Sequence, residues 1–519
     1  MIPSFTTGRK KIFCYEPSIN QQNVQRVVSN ALLVHNQNVL EIDWLFQLYR
    51  GSDSIIENRE RTGTNENINH KAFVSYYSLI ADYKANLFMQ NPVVYVNADG
   101  EEYVSEALRE YNKIHRSSHK YARDKKTATH AAVCGIGWRF LEYNTKGKII
   151  KDSVLSPQSV FAIYGDDTDD ESMAIVYITQ ELDESKTVFP DITGELGITD
   201  YSTKNRYTVY TDDFIYTWVD GDDTVDVRET MPWGCPIVEY KMNPFYIGAF
   251  ERVTSLIHLL SVLRSDGVNG VVQSVAGLIF GKNIGLPMLE PDDDEETIEW
   301  KEQEIERFRT QLRDHRQLWV VEPKDSPVSS VEYIATELFN ADIDVLYRGL
   351  IDDIVSITRI PRSVVDIGGS GNSGAAQTAS GIPQALEDAQ NAEPYWYESE
   401  RQHCRIELAM AHRGGLLEGL NDGDIEFAMQ RSIMADPIIG AQTYSQYIAV
   451  GVKPSDAARL AQITADPEAW EKRVLDWRDE EYAWRMSHPE ISKDEGKEEE
   501  QEDERDKGSQ ESGSQGSES

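Results

Sequence analysis

Cysteine is scarce and scattered. Cys14, Cys134, Cys235 and Cys404 form no CxxC pair and no Cys/His grouping at zinc spacing, which argues against a disulfide scaffold and a zinc module. Long apolar runs are also missing. A membrane span needs ~18–20 uninterrupted apolar residues, and the longest candidate, Val268–Phe280, is broken by Asn269, Gln273 and two glycines. The amino-terminal stretch Met1–Lys11 has no apolar run behind its charges, so it does not read as a secretory signal. Positive charge is in deficit, with 51 Lys+Arg against 88 Asp+Glu and a net charge of −37. A surface this acidic repels phosphate and disfavours non-specific adhesion to nucleic acid. These features predict a soluble chain made in a reducing cytoplasm and not held in a membrane.

Catalytic patterns are absent too. None of the ten histidines falls in HExxH, and no Ser or Cys sits in a nucleophile elbow. His403 and His412 share a helical stretch with Cys404 but lack zinc or catalytic spacing. Gly369-Ser370-Gly371-Asn372-Ser373-Gly374 spells GxGxxG, and Val364–Ile367 could pass for a preceding strand. A dinucleotide site would need a βαβ unit around it; here some thirty polar residues follow, with no second buried strand. Gly277–Asn283 is one residue short of a phosphate loop, and Asn283 stands where Ser or Thr would hold magnesium. It reads as a strand and turn. The acidic runs Asp166–Glu171 and Pro291–Glu296 lack the sixth-position glycine of a calcium loop. The second precedes a helix, whose positive dipole end favours acids. The expectation is a protein without catalysis, cofactor or metal.

What is present is patterned. The 519 residues are 40% hydrophobic, enough for substantial cores. Helical periodicity covers Asn23–Arg50, with Gly51 as its stop, then His70–Met89, Glu101–His115 and His119–Val133. A β-rich block follows: Trp138–Tyr143, Lys148–Ile150, Val160–Tyr164, Ala174–Ile178, Arg206–Thr211, Phe214–Trp218 and Ile237–Tyr240. It predicts an antiparallel β domain. A long helix is expected over Ala249–Val275, then short strands (Gly277–Phe280 and Leu318–Val321) around a charged helix, Glu295–His315. Ala341–Ile360 carries an apolar stripe of Ile343, Leu346, Leu350, Ile354 and Ile357. A Gly/Ser-rich segment, Ile367–Ser380, reads as flexible and is followed by a polar helix from Gln384 to about His412. Asp424–Phe427 and helices over Pro437–Ala465 close the fold. From Pro489 onward the composition cannot build a core and predicts a disordered acidic tail.

The order of these pieces resembles the portal family of long-tailed bacteriophages across nearly the whole chain. Leu48-Tyr49-Arg50-Gly51, Asn67-Ile68-Asn69-His70 and Ile80–Val96 resemble the family's opening segment. Gly135–Phe140 and Leu155–Tyr164 resemble its β-rich wing, and Met231–Tyr240 the proline-marked strand before its first channel helix. Gly451–Leu460 resembles a helical turn of its crown. Cys235, between Gly234 and Pro236, departs from the pattern.

The resemblance implies an α+β ring subunit with a β-rich wing, a two-helix stem, a small α/β clip, a helical crown and the acidic tail. It would place the wing over residues 1–243 and stem helix 1 over 244–275. The clip would be 276–340, stem helix 2 341–361 and the tunnel loop 362–380. A long wing helix would occupy 381–420, the crown 421–488 and the tail 489–519. Stem packing would fall to Ile257, Leu260, Leu346, Leu350, Ile354 and Ile357. The channel loop would centre on Val364, Val365, Asp366, Ile367, Gly368, Gly369, Ser370, Gly371, Asn372, Ser373 and Gly374, with Arg348, Arg359 and Arg362 as basic residues near the channel. Such rings usually hold twelve subunits at a unique capsid vertex of the virion, pass double-stranded DNA during packaging and ejection, and dock terminase, a head–tail adaptor, and major capsid and scaffolding proteins. The physics is compatible, because an acidic channel lets DNA slide without sticking and Gly, Ser and Asn let a loop change shape. A head scaffold or head-completion protein is the alternative. A scaffold would be built from long heptad helices, which the β-rich block of 138–240 opposes. A nucleic-acid enzyme would need the phosphate loop or convergent acids that are missing.

Overall fold

The computed structural model describes residues 8–60, 69–98, 106–144, 149–165, 172–182, 203–276, 278–282, 294–315, 318–320, 330–334, 340–365, 374–429, 437–461 and 467–487. They fall into two compact units, residues 1–431 and 432–519.

The first unit opens with strand β1 (Ile12–Phe13) and helix α1 (Val24–Arg50), then a short α2 (Ser54–Glu57), α3 (Tyr76–Phe88), β2 (Val94–Asn97), α4 (Glu106–Ser117) and α5 (Lys120–Cys134). Strands β3 (Ile136–Asn144), β4 (Ile149–Leu155), β5 (Val160–Tyr164), β6 (Ala174–Leu182), β7 (Thr203–Tyr210), β8 (Phe214–Val219), β9 (Asp226–Glu229) and β10 (Ile237–Lys241) follow. A 3-10 turn, Glu251–Val253, leads into α6 (Thr254–Ala276). Then come β11 (Leu278–Lys282), α7 (Glu295–His315), β12 (Leu318–Val320), β13 (Ser330–Ile334), α8 (Asn340–Thr358), α9 (Arg362–Val365), α10 (Gly374–Arg413) and β14 (Ile425–Ala428). The second unit contains α11 (Pro437–Ala449), α12 (Pro454–Leu460) and α13 (Pro467–Ser487).

Alternation along the strands builds the layers. In the six-stranded sheet β1-β5-β6-β7-β8-β9, Phe161, Ile163, Val176, Val209 and Trp218 pack with Val24, Val27, Val28 and Ala31 of α1. The residues between them, Val160, Ala162, Tyr164 and Ile175, face Trp138, Leu155 and Ile237 of the three-stranded sheet β10-β3-β4. A period of two sends alternate side chains to opposite faces, so one strand set serves two cores. The opposite end of α1 contributes Ile42, Leu45 and Leu48 to the main core, with Tyr77, Tyr95, Tyr111, Trp396 and Met410. Gly51 stops α1 as expected, at φ +89°, its amide turned back on the last carbonyls.

The β-rich block is antiparallel except at β1, which runs parallel to β5. The sequence gives no sign of β1, which is two residues long, nor of β9, whose four residues are all exposed. A third strand, β13, joins the expected pair around α7 in the order β12-β11-β13. Asp294 caps α7 by accepting from the Thr297 amide at 3.1 Å, so this acid acts as the dipole argument requires.

Three boundaries differ from expectation. Helix α3 starts at Tyr76 rather than His70, because the backbone of 70–74 bonds to α6 instead. The stretch 374–380, expected to be flexible, is already helix α10; Ala375, Ala376, Gln377 and Ala379 are good helix formers whose effect the neighbouring Gly and Ser disguise. Residues 362–365 likewise form the helical turn α9. Residues 366–373, including all of the GxGxxG but its last glycine, lie outside the described residues, as do the run 166–171 and the tail beyond 487. Finally, β14, expected to group with the C-terminal helices, pairs antiparallel with β2 in the first unit. In the second unit α12 buries Ser455, Ala457 and Ala458, and Tyr444 meets Trp470 edge-on at 6.3 Å.

A tight junction fixes the start of α6. Gly135 ends α5 at φ +83°, and a Cβ there would lie 2.0 Å from the Tyr246 carbonyl oxygen. Across the same contact the Ala249 amide donates to the Ala132 carbonyl at 2.6 Å, and the Arg9 amide to that of Tyr246 at 3.2 Å. The buried Arg9 guanidinium reaches Glu251 at 2.9 Å and Glu41 at 3.3 Å.

Candidate functional site

Two arrangements stand out, the α6–α8 helix pair and a buried polar network behind it. In the pair, Ile257 and Leu260 of α6 and Leu350 and Ile354 of α8 are buried in the main core. Leu346 and Ile357 are not: they are 50% and 47% exposed. At ~100° per residue both lie within about 40° of Leu350 around the helix. The stripe is therefore continuous, but its two ends are uncovered. Val345, Leu259 and Val268 are exposed too, but on other faces of the two helices. Ile351, absent from the expected stripe, is buried at 2%.

One face of α6 is polar and still buried. Ser261, Ser265 and Asn269, four residues apart, are at most 1% exposed. The backbone of 70–74 lies along them: the His70 amide donates to Asn269 Oδ1 at 2.8 Å, Ala72 to Ser265 Oγ at 2.9 Å and Val74 to Ser261 Oγ at 3.4 Å. These bonds replace the helical ones that His70–Ser75 forgoes. Asp53 pairs with His258 at 2.6 Å and Arg59 with Asp266 at 2.9 Å, so the chain before this stretch is tied to the same helix. The Ser-x3-Ser-x3-Asn spacing is the signal that sequence reading passed over.

Two of the three arginines expected near a channel have carboxylate neighbours within the chain. Arg362 Nη1 is 2.7 Å from Asp352, and Arg359, at φ +56° where α8 ends, is 3.9 Å from Asp388. Arg348 is exposed on α8. Val364 is half-buried and Val365 buried, so α9 packs into the core rather than standing free.

The network centres on α10. Glu400, fully buried, accepts from Lys120 Nζ at 2.6 Å, Tyr95 Oη at 2.6 Å and Tyr240 Oη at 2.9 Å. Lys120 also contacts Asp124 at 3.1 Å. Arg139, equally buried, donates to Asp124 at 2.6 Å and to both oxygens of Asp152. Two turns further along α10, Glu407 accepts from Tyr111 Oη and pairs with His115 Nε2, both at 2.8 Å. Burial pushes the Glu407 carboxyl up, but His115 and Tyr111 more than reverse this and hold it at about 2. Glu400 and Asp152 are likewise held below the usual carboxylate range, against burial, by Lys120 and Arg139. His403 and Cys404 lie in this packed interior, while His412 caps the helix end by bonding the Leu417 carbonyl at 3.0 Å. Among the described residues no group of three or more His, Cys, Asp or Glu side chains is arranged to hold a metal. The network fastens α10 to β2, α4, α5, β3 and β10.

Three histidines give the fold an acid limit. Burial lowers His35, His403 and His130, the last to about 4 with help from Lys126. In the unfolded chain each titrates near ~6.5. Their contribution is complete above that value and is lost as pH falls toward the folded pKa, on the order of 2–3 kcal/mol for His130. Glu239 and Glu251, raised by burial, act in the opposite sense, so the slope difference between variants isolates the histidine. Thermal melts from pH 7.5 to 4.5 should show a shallower acid decline for His130→Gln than for the parent; equal slopes would contradict the assignment.

Comparison with known proteins completes the site. A chain from the neck of an empty gene transfer agent particle is 12% identical, with 78% of this chain and 96% of that one covered at a TM-score of 0.38. A chain from the virion of a native gene transfer agent particle is 11% identical, with coverages of 82% and 99% and a TM-score of 0.35. No curated protein matches. No helix among the described residues is long and apolar enough to cross a membrane. The family model "Phage portal protein, SPP1 Gp6-like" matches residues 32–455, which takes in strands β2 to β14, the α6–α8 pair, the whole network and the first helix of the second unit. Over that span the chain belongs to the SPP1 Gp6-like phage portal proteins.

Proposed function

We propose that copies of this portal subunit close into a ring at one capsid vertex, through which double-stranded DNA enters during packaging and leaves on ejection, and that the ring docks terminase and a head–tail adaptor. The twelve-subunit count implied by the resemblance belongs to this reading. In it α6 and α8 form the stem, 276–340 the clip and 421–488 the crown. Residues 366–373 contribute to a loop at the channel; the absence of Lys and Arg from Val364–Gly374 supports steric rather than phosphate-binding contact. The protein acts without catalysis, as a virion component made in the host cytoplasm. Beyond the family match, the observation that carries the reading is the uncovered ends of the α8 stripe, since an apolar face left open in a subunit is what a neighbouring copy covers.

The test is native mass measurement with negative-stain imaging of the full chain. Rings are expected for the parent; a monomer at every concentration would overturn the reading. Leu346→Asp combined with Ile357→Asp should leave the subunit folded, as judged by melting temperature, and abolish rings. Ile354→Asp should instead unfold the subunit, because Ile354 is fully buried and an unpaired buried carboxylate costs several kcal/mol.

A further inference from the structure

Two exposed surfaces of the first unit carry a net charge of opposite sign. On α4 and α5, Arg109, Lys113, Arg116 and Lys126 are exposed and form no ion pair among the described residues; they outnumber the two exposed acids of the same stretch, Glu106 and Glu110. They sit on a chain whose net charge is −37, so this local excess of cations runs against its composition. The other surface is the far edge of the six-stranded sheet. There Asp212, Asp213, Asp222, Asp223, Asp226 and Glu229 are exposed, with Arg228 the one basic residue between 211 and 231. The edge strand β9 has no strand partner on its outer side among the described residues, and Phe214 and Met231 beside it are 41% and 50% exposed.

The two surfaces lie on different layers. Helix α5 covers the three-stranded sheet from the side away from the six-stranded one, whereas β9 ends the six-stranded sheet. Neither can pair with its own copy, since that would set like charges against each other. Each complements the other, and a contact between two different patches of identical chains is head-to-tail, the kind that generates a closed ring. We propose that the α4–α5 cations of one subunit dock on the acidic β8–β9 edge of the next, a contact that rests on the ring reading above and adds a second, electrostatic interface to the apolar one on α8. Exposed charge pairs are screened by salt, so this contact sets the order of neighbours and the ionic-strength dependence of assembly.

The experiment uses the full chain and two reversals. One is Lys113→Glu with Arg116→Glu and Lys126→Glu; the other is Asp213→Lys with Asp223→Lys and Asp226→Lys. Ring and monomer fractions are read by native mass measurement at low and high salt, with melting temperature as the folding control. Each reversal alone should remain folded and lower the ring-to-monomer ratio at least tenfold at low salt. A chain carrying both reversals should recover rings, and so should an equimolar mixture of the two single-surface variants, in alternating order. Rings from either single-surface variant at parental yield, or no recovery in the doubly reversed folded chain, would overturn the contact. Loss of DNA adhesion with rings intact would assign the cations to nucleic acid and also overturn it. A parent chain that forms no rings would instead sink the ring reading itself.

Discussion

Gly135→Ala should give little or no folded protein. The added methyl would meet the Tyr246 carbonyl oxygen at 2.0 Å and its carbon at 2.2 Å, both backbone atoms that cannot rotate away. The position is also at φ +83°, where a side chain costs about 1–2 kcal/mol before any clash. The loop that would have to yield carries Ala249 and Glu251, so relief would break the Ala132–Ala249 hydrogen bond and loosen the Arg9–Glu251 pair. A loss on the order of 4 kcal/mol or more is expected, a large share of a typical domain's stability. Gly221→Ala is the control: φ is +85° there too, but nothing lies within 4 Å of the new carbon, so only the roughly 1 kcal/mol backbone term applies. Soluble yield and melting temperature check both, and similar outcomes for the two variants would show that the junction is not tight.

Glu400→Leu should be nearly as damaging, for an electrostatic reason. The substitution removes the acceptor of Lys120, Tyr95 and Tyr240 together. Lys120 keeps Asp124, but Asp124 is already shared with Arg139. Breaking a buried pair from one side costs about 3–5 kcal/mol, because the remaining charge and donors cannot return to water. The effect should concentrate where α10 docks. Amide exchange over residues 395–410 should rise well above that of β5–β7, and Glu400→Gln, which keeps an acceptor oxygen, should lose less. Uniform loosening of the whole unit would mean that the network does not act as the fastener of α10.

Elements built from local pattern were legible in the sequence. Helix α1 with its Gly51 stop, α5, α6 and α8, and strands β3 to β8 all follow from periodicity and turn residues. The missed features need information from far along the chain. The start of α3 depends on whether 70–74 bonds to itself or to Ser261, Ser265 and Asn269, nearly two hundred residues away. Helix α10 reads as polar and is polar, yet its Glu400 and Glu407 are buried, because partners at 95, 111, 115, 120 and 240 satisfy them. On α8 the spacing finds the stripe but cannot say which part the chain covers itself.

The same network sets a timetable for synthesis. Lys120, Asp124, Arg139 and Asp152 leave the ribosome close together and can neutralise one another as two cations and two anions. Glu400 follows 280 residues behind Lys120, roughly 15–55 s later at ~5–20 residues per second. Until it arrives, the hydroxyls of Tyr95 and Tyr240 lack their acceptor, and the core that Trp396 and Met410 will seal stays open to water. A nascent chain halted before α10 would therefore present an unsealed, aggregation-prone core for the chaperones of the cell to hold.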